Sequence, residues 1–317
     1  MLKKNMKISR FFAYFRKKQY LCTWFNLSSG AFSAPIFRMK HLLLWFRIIR
    51  PQTLFASVCP VCIGLIVSPL ACDWRIAIIT LVCAIALQVL SNLINDYYDF
   101  KKGADKAGRA GFKRALAEGE VGPKQMLVAI GITLAIALGT GLWLVCIGGW
   151  PILLIGLTAL LFAWLYTATR FSLSYLGIAD IFVFLYYGVI AAMGTCYLQG
   201  NAFFYWPAFA GGSVCGLISM CVLMINNLRD READSAVGKR TFVVRFGKRA
   251  GEIAMLVYVL LSPLLAYLAF DDYWMFSMVI FLLILWKNVR DANGKAYNTC
   301  LLTAGICNLL YVLLACI

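Results

Sequence analysis

Apolar residues run through this chain in long unbroken blocks, and polar residues are gathered into the gaps between them. The blocks fall at about 52–70, 74–94, 125–147, 150–168, 175–197, 205–227, 250–270, 273–288 and 298–317. Most run for 17–23 residues, enough to cross a hydrocarbon layer of roughly 30 Å as helices rising about 1.5 Å per residue. A barrel strand is about half that length and alternates its two faces, and these blocks do not alternate. The pattern predicts an all-α polytopic membrane protein of nine transmembrane helices. Mostly short turns join them.

Composition agrees, because 62% of the 317 residues are apolar, 14% are charged and the mean hydropathy is +0.80. A soluble domain carries about a quarter charged residues and could not bury so large an apolar share. The formal charge of +16 would suit a nucleic-acid partner if it formed one patch. It does not. Of the 30 Lys and Arg residues, 29 lie before the first block or in the loops after the second, fourth, sixth and eighth, with only Arg75 on the other side. By the positive-inside rule this bias sets topology, with a cytoplasmic N-terminus and the C-terminus outside, and excludes nucleic acid.

Residues 1–40 hold nine basic residues and no acid, interleaved with aromatic side chains. Such a segment suits an anionic membrane surface, but organised pattern begins only after Met39, so it is read as a dispensable extension. Residues 41–317 are read as a single transmembrane domain. Residues 11–37 lack a clean apolar core and a small-residue cleavage site, so no signal peptide is expected. Most of the 12 cysteines sit inside apolar blocks as small hydrophobes. The Cys59-Pro60-Val61-Cys62 run would need further ligands to hold zinc, and His41 is the chain's single histidine.

The acids are clustered. Five of 14 lie between Asp96 and Glu120, and three more between Asp230 and Asp234. Leaving the second block the sequence reads Ser91-Asn92-Leu93-Ile94-Asn95-Asp96-Tyr97-Tyr98-Asp99, and leaving the sixth Asn226-Asn227-Leu228-Arg229-Asp230-Arg231-Glu232-Ala233-Asp234. Asn95/Asp99 and Asn226/Asp230 share a four-residue spacing, continued to Asp234, and the two sets stand 131 residues apart. On helices that spacing aims a column of oxygen atoms in one direction, and the equivalent positions suggest a duplicated unit. Mg²⁺ suits such ligands, since it is usually held by one or two carboxylates together with substrate phosphate oxygens. Lys101, Lys102, Arg109, Lys113, Arg114, Lys239 and Arg240 lie among the acids and are placed to contact those phosphates.

Asp180 lies inside the fifth block, where a carboxylate costs roughly 2.5–3.5 kcal/mol on insertion scales. It must face protein or a wet cavity, and Arg170 is its nearest candidate partner in sequence. A structural ion pair and a substrate-site role both remain open.

These motifs resemble those of the UbiA-type intramembrane prenyltransferases, in particular the branch acting on dihydroxynaphthoate, over nearly the whole chain from Trp45. The similar segments are Arg50-Pro51-Gln52-Thr53-Leu54, Ser91 through Asp105-Lys106, and Tyr166-Thr167 with Arg170. Tyr175-Leu176-Gly177-Ile178-Ala179-Asp180, Gly194 to Gln199, Asn226 to Asp234 with Gly238-Lys239-Arg240-Thr241, and Val244-Arg245-Phe246-Gly247 continue the likeness. The chain departs at Gly103, where the wider family has a further Asp that Asp105 replaces, and at Phe112, where the branch has Pro. Arg114 keeps its place.

The resemblance implies an Mg²⁺-dependent prenyltransferase that joins a polyprenyl diphosphate, its tail in membrane lipid, to 1,4-dihydroxy-2-naphthoate. It implies Asp99, Asp230 and Asp234, with Asn95, Asp105 and Asn226, as metal ligands, and Asp96 as a partner in the same shell. It places Tyr166, Arg170 and Asp180 at the acceptor, with Arg170 or a basic residue of the second motif on its carboxylate. Tyr97, Tyr98 or Tyr166 would face the allylic cation. Another aromatic acceptor is the nearest alternative, and a secondary transporter with intramembrane Asp180 the rival from another class. The expected location is a bacterial cytoplasmic membrane; oligomeric state is not specified.

Overall fold

The computed structural model describes residues 42–103, 114–166, 168 and 172–317. The chain divides into two units, Met1–Arg47 and Ile48–Ile317; the second holds the elements that follow. Among its described residues the regular structure is helical, without a strand. The order is α1 Pro51–Ile66, α2 Trp74–Lys101, α3 Pro123–Leu165, α4 Leu173–Leu176, α5 Ala179–Phe184, a π-helical turn Leu185–Val189, α6 Ile190–Leu198, α7 Trp206–Ala236, α8 Phe242–Phe270, a 3₁₀ turn Tyr273–Ser277, α9 Met278–Asp291 and α10 Ala296–Leu314.

Local chemistry sets several boundaries. Pro51 opens α1 with φ already fixed and drives the residue before it out of the right-handed helical region. Arg50 accordingly sits at φ 58°, ψ 69°, a left-handed conformation costing a non-glycine residue about 1–2 kcal/mol. Asp73 caps α2 by accepting from Arg75 N at 2.9 Å and Ile76 N at 3.3 Å. α2 and α7, with 28 and 31 residues, exceed the roughly 20 that a bilayer needs. Their surplus final turns carry the two acidic motifs, so both motifs are helical.

Among the described residues, seven helices are long and apolar enough to cross a membrane, or eight if Leu42–Ile49 and Pro51–Ile66 are taken as one span. The expected count of nine is not reached by length and composition. The difference lies partly in α3, one element of 43 residues where two spans are expected. At Gly149 (φ 68°, ψ −153°), two residues before Pro151, its backbone leaves the helical region, as a chain about twice the bilayer's thickness requires.

α7 is the central helix: 78% of its most apolar stretch is buried, against 11% for α3. Around it α1, α8, α9 and α10 close one core containing Ile63, Ile218, Met224, Met255, Leu285 and Tyr311. α1 packs on both α2 and α7 and so ties the two motif helices to one support. The π-helical turn crosses α7 at glycines, and a Cβ on Gly188 would stand 2.6 Å from the Gly212 carbonyl oxygen and from the Gly216 α-carbon. Gly188→Val is therefore expected to lower stability by about 1–3 kcal/mol through overpacking, seen as a lower unfolding temperature in detergent. An unchanged transition would show that the crossing does not depend on glycine.

Candidate active site

The last turns of α2 and α7 meet at one side chain. Lys239 Nζ lies 3.4 Å from Asp99 Oδ2 and 3.5 Å from Asp234 Oδ1. Two acids from motifs far apart in sequence are thus joined by one ammonium. Asp99 is buried, and its Oδ1 has no hydrogen-bond partner among the described residues. Lys239 follows Gly238, whose φ of 77° turns the chain back after α7, and its amide donates to the Asp234 carbonyl at 2.9 Å.

A second loop closes on this point. The Arg240 amide donates to the Tyr175 carbonyl at 3.2 Å, and a Cβ at Gly177 would stand 2.2 Å from the Arg240 carbonyl oxygen, so only glycine admits the approach. The Tyr175 ring then faces two cations, with Lys102 Nζ 4.8 Å and Lys239 Nζ 5.8 Å from its centroid.

Asp96 and Asp230 engage arginines instead. Asp96 Oδ1 accepts from Arg50 Nη2 and, at 2.6 Å, from Arg114 Nη1. Arg229 grips Asp230 through Nε–H···Oδ1 at 2.9 Å and Nη2–H···Oδ2 at 2.7 Å, and donates through Nη1 to Asn298 at 2.9 Å. Arg50, Arg114 and Arg229 converge with Gln52, Thr53 and Asn226 on a small polar cavity of about 30 Å³.

A larger cavity of about 270 Å³ is lined overwhelmingly by apolar side chains of α1, α2, both halves of α3 and the α5–α6 segment. Tyr166, Ser91, Gln88 and Tyr187 are among its few polar walls. The π-helical turn carries Tyr187 into this wall, where Ser91 of α2 also lies. Tyr166 lies just past the end of α3.

The order of motifs and the juxtaposition of their ends match a known pattern. Residues 57–309 match the UbiA prenyltransferase family. The chain belongs to that family. It is 34% identical to a 1,4-dihydroxy-2-naphthoate octaprenyltransferase of Escherichia coli over 64% of this chain and 68% of that protein. Identity is 30% to the Haemophilus influenzae protein of the same name, over 73% of this chain and 78% of the relative. The solved structure of a UbiA homolog from Archaeoglobus fulgidus bound to GPP and Mg²⁺ superposes with a TM-score of 0.62 at 16% identity, covering 86% of this chain and 97% of that one. At that identity the likeness concerns the fold, which is the UbiA fold, and the protein is a multi-pass membrane protein.

Within this UbiA-family chain, the structure separates the expected site residues into two groups. Asp99, Asp234, Lys239 and Lys102 gather around Tyr175, whereas Asp96, Arg114, Asn226 and Asp230 belong to the arginine side. Asn95 is half-buried on α2, and Lys101 and Arg240 are exposed. Asp180 keeps a buried Oδ1 without a hydrogen-bond partner among the described residues. Asp105, Arg109, Lys113 and Arg170 lie outside the described residues. Arg50, Tyr175 and Tyr187 were not among the expected site residues, and Arg229 was expected only as one basic residue of the second motif. Arg50 and Tyr175 stand in motifs legible in the sequence, but the inward turn of Tyr187 has no sequence signal.

Among the described residues, no three His, Cys, Asp or Glu side chains gather closely enough to hold a metal ion. Mg²⁺ needs less from a protein, commonly one or two carboxylates with phosphate oxygens and water. Asp99 and Asp234 supply two hard oxygen donors from opposite helices, and the orphaned Asp99 Oδ1 is a buried acceptor in want of a cation. The donor set fits.

Proposed function

We propose that this UbiA-family enzyme transfers a polyprenyl group from polyprenyl diphosphate to 1,4-dihydroxy-2-naphthoate with loss of CO₂ and diphosphate, giving a demethylmenaquinol of menaquinone biosynthesis. The names of its relatives supply the acceptor. The observation that carries the site is the Lys239 bridge between Asp99 and Asp234, on a helix, α2, that also lines the apolar cavity. The membrane is a bacterial cytoplasmic one, with the motif ends on its cytoplasmic side.

Asp99 and Asp234 would hold Mg²⁺, with Asp230, Asp105, Asn95 and Asn226 as further oxygen donors nearby in sequence. When bound, Mg²⁺ neutralises charge on the diphosphate and so favours its departure. Lys102 and Lys239 reach the same diphosphate from beside Tyr175, with Lys101, Arg109, Lys113 and Arg240 as outer basic contacts. The prenyl tail lies in the apolar cavity, which excludes water from the allylic carbon as its C–O bond breaks. Tyr166 and Tyr187, both in the wall of that cavity, would offer aromatic faces to the developing allylic cation.

The acceptor needs a cation for its carboxylate. Arg50, Arg114 and Arg229 around the small polar cavity provide one, with Arg229 the basic residue of the second motif; Arg170 and Asp180 remain candidates on the Tyr166 side. The ring carbon bearing the carboxylate forms the new C–C bond, and the electron pair of the departing CO₂ returns to the ring. Charge balances without a net proton change: the naphthoate's single negative charge leaves as neutral CO₂ and the diphosphate gains it.

The test uses purified protein in lipid nanodiscs with Mg²⁺, polyprenyl diphosphate and carboxyl-labelled dihydroxynaphthoate. Labelled CO₂ and diphosphate are expected in equal amounts, with both lost on adding EDTA. Diphosphate release with 4-hydroxybenzoate, and none with dihydroxynaphthoate, would assign a different acceptor.

A further inference from the structure

Resting on the metal–diphosphate reading above, we propose that Lys239 is a place-holding cation. Its ammonium occupies the space between Asp99 and Asp234 before substrate arrives and then turns to the diphosphate. Metal and diphosphate consequently enter as one complex, and the bare divalent ion is refused.

The argument begins from charge. Asp99 and Asp234 face one point from separate helices, and two carboxylates brought together in a partly buried site repel strongly unless a cation lies between them. Lys239 supplies it, at 3.4 Å from one and 3.5 Å from the other. A divalent ion seeking the same oxygens would meet a like charge already seated. Inorganic or prenyl diphosphate removes that conflict, because its several negative charges can take the ammonium and the metal ion together.

The mounting of Lys239 suits such an exchange. Its backbone is held on both sides, by its own amide on the Asp234 carbonyl at 2.9 Å and by the Arg240 amide on the Tyr175 carbonyl at 3.2 Å. The neighbouring loop cannot close in further, since Gly177 already lies against the Arg240 carbonyl. Only the side chain needs to move, and lysine's four-carbon stem allows it. A second perch is in place, for the same ammonium lies 5.8 Å from the Tyr175 ring, which Lys102 also faces. Lys102 marks where the phosphates would draw Lys239. Asp230 does not share this arrangement, because Arg229 grips both of its oxygens.

The experiment measures Mn²⁺ binding by electron paramagnetic resonance on the full-length protein in nanodiscs, with and without inorganic pyrophosphate, for wild type, Lys239→Met, Lys239→Arg and Asp99→Asn. Without pyrophosphate, Lys239→Met is expected to bind Mn²⁺ on the order of tenfold more tightly than wild type, since a like charge has gone. With Mn²⁺ saturating, the same variant should bind pyrophosphate more weakly, and Lys239→Arg should track wild type in both measurements. Bare Mn²⁺ affinity unchanged or weakened in Lys239→Met, while Asp99→Asn binds Mn²⁺ less tightly than wild type, would overturn the place-holder and leave the metal site standing. Mn²⁺ binding indifferent to Asp99→Asn even with pyrophosphate would overturn both.

Discussion

Asp99→Ala is expected to lower prenyl transfer by about 10²–10³-fold, the scale on which loss of one preorganised charge-stabilising group acts. Asp99 is buried, shares Lys239 with Asp234, and its Oδ1 has no hydrogen-bond partner among the described residues. Removing it takes away one of the two carboxylates proposed to hold the metal, so the loss should fall on kcat rather than on binding of the prenyl tail. The measurement is paired CO₂ and diphosphate release in nanodiscs, with Mn²⁺ binding as the second readout. Turnover within a few fold of wild type would refute the metal role of Asp99. Because the α2 helix continues through Lys101 and the substitution falls in its last turn, correct insertion is expected to survive it.

Asp96→Ala should behave differently although the residue lies only three positions away. Asp96 is buried and its Oδ1 accepts from both Arg50 and Arg114. Deleting one partner of a buried ion pair commonly costs about 3–5 kcal/mol, because the other charge is left without compensation. Here two guanidiniums lose their carboxylate, and one of them is Arg50, whose left-handed backbone at φ 58° is itself unfavourable. The expected result is a clear fall in unfolding temperature and a raised KM for the naphthoate, with Mn²⁺ binding at Asp99 and Asp234 preserved. If Asp96→Ala abolished Mn²⁺ binding at full stability, Asp96 would belong with the metal ligands.

The contrast between these neighbours marks the limit of reading spacing alone. Helical periodicity places Asn95 and Asp99 on one face, as it does Asn226, Asp230 and Asp234, and α2 and α7 are indeed helical through both motifs. Periodicity does not say which oxygen finds which cation. Asn226 opens on the arginine cavity and Asp234 on the lysine bridge, because that choice depends on what the loop after α7 and the N-terminus of α1 carry to each point.

The all-α character, the presence of several membrane-spanning helices and the clustering of acids at the ends of two of them follow from the sequence by itself, because they rest on local quantities; the number of spans does not. Helix length against bilayer thickness, the placement of Lys and Arg, and i, i+4 spacing need no knowledge of distant contacts. The tertiary structure alone decided that Lys239 joins Asp99 to Asp234, that Asp96 holds Arg50 and Arg114, and that Tyr187 turns into the apolar cavity. Each depends on where separate helices cross. Those crossings are set by close packing, such as the approach of Gly188 to Gly212 and Gly216, which a linear pattern of apolar positions does not encode.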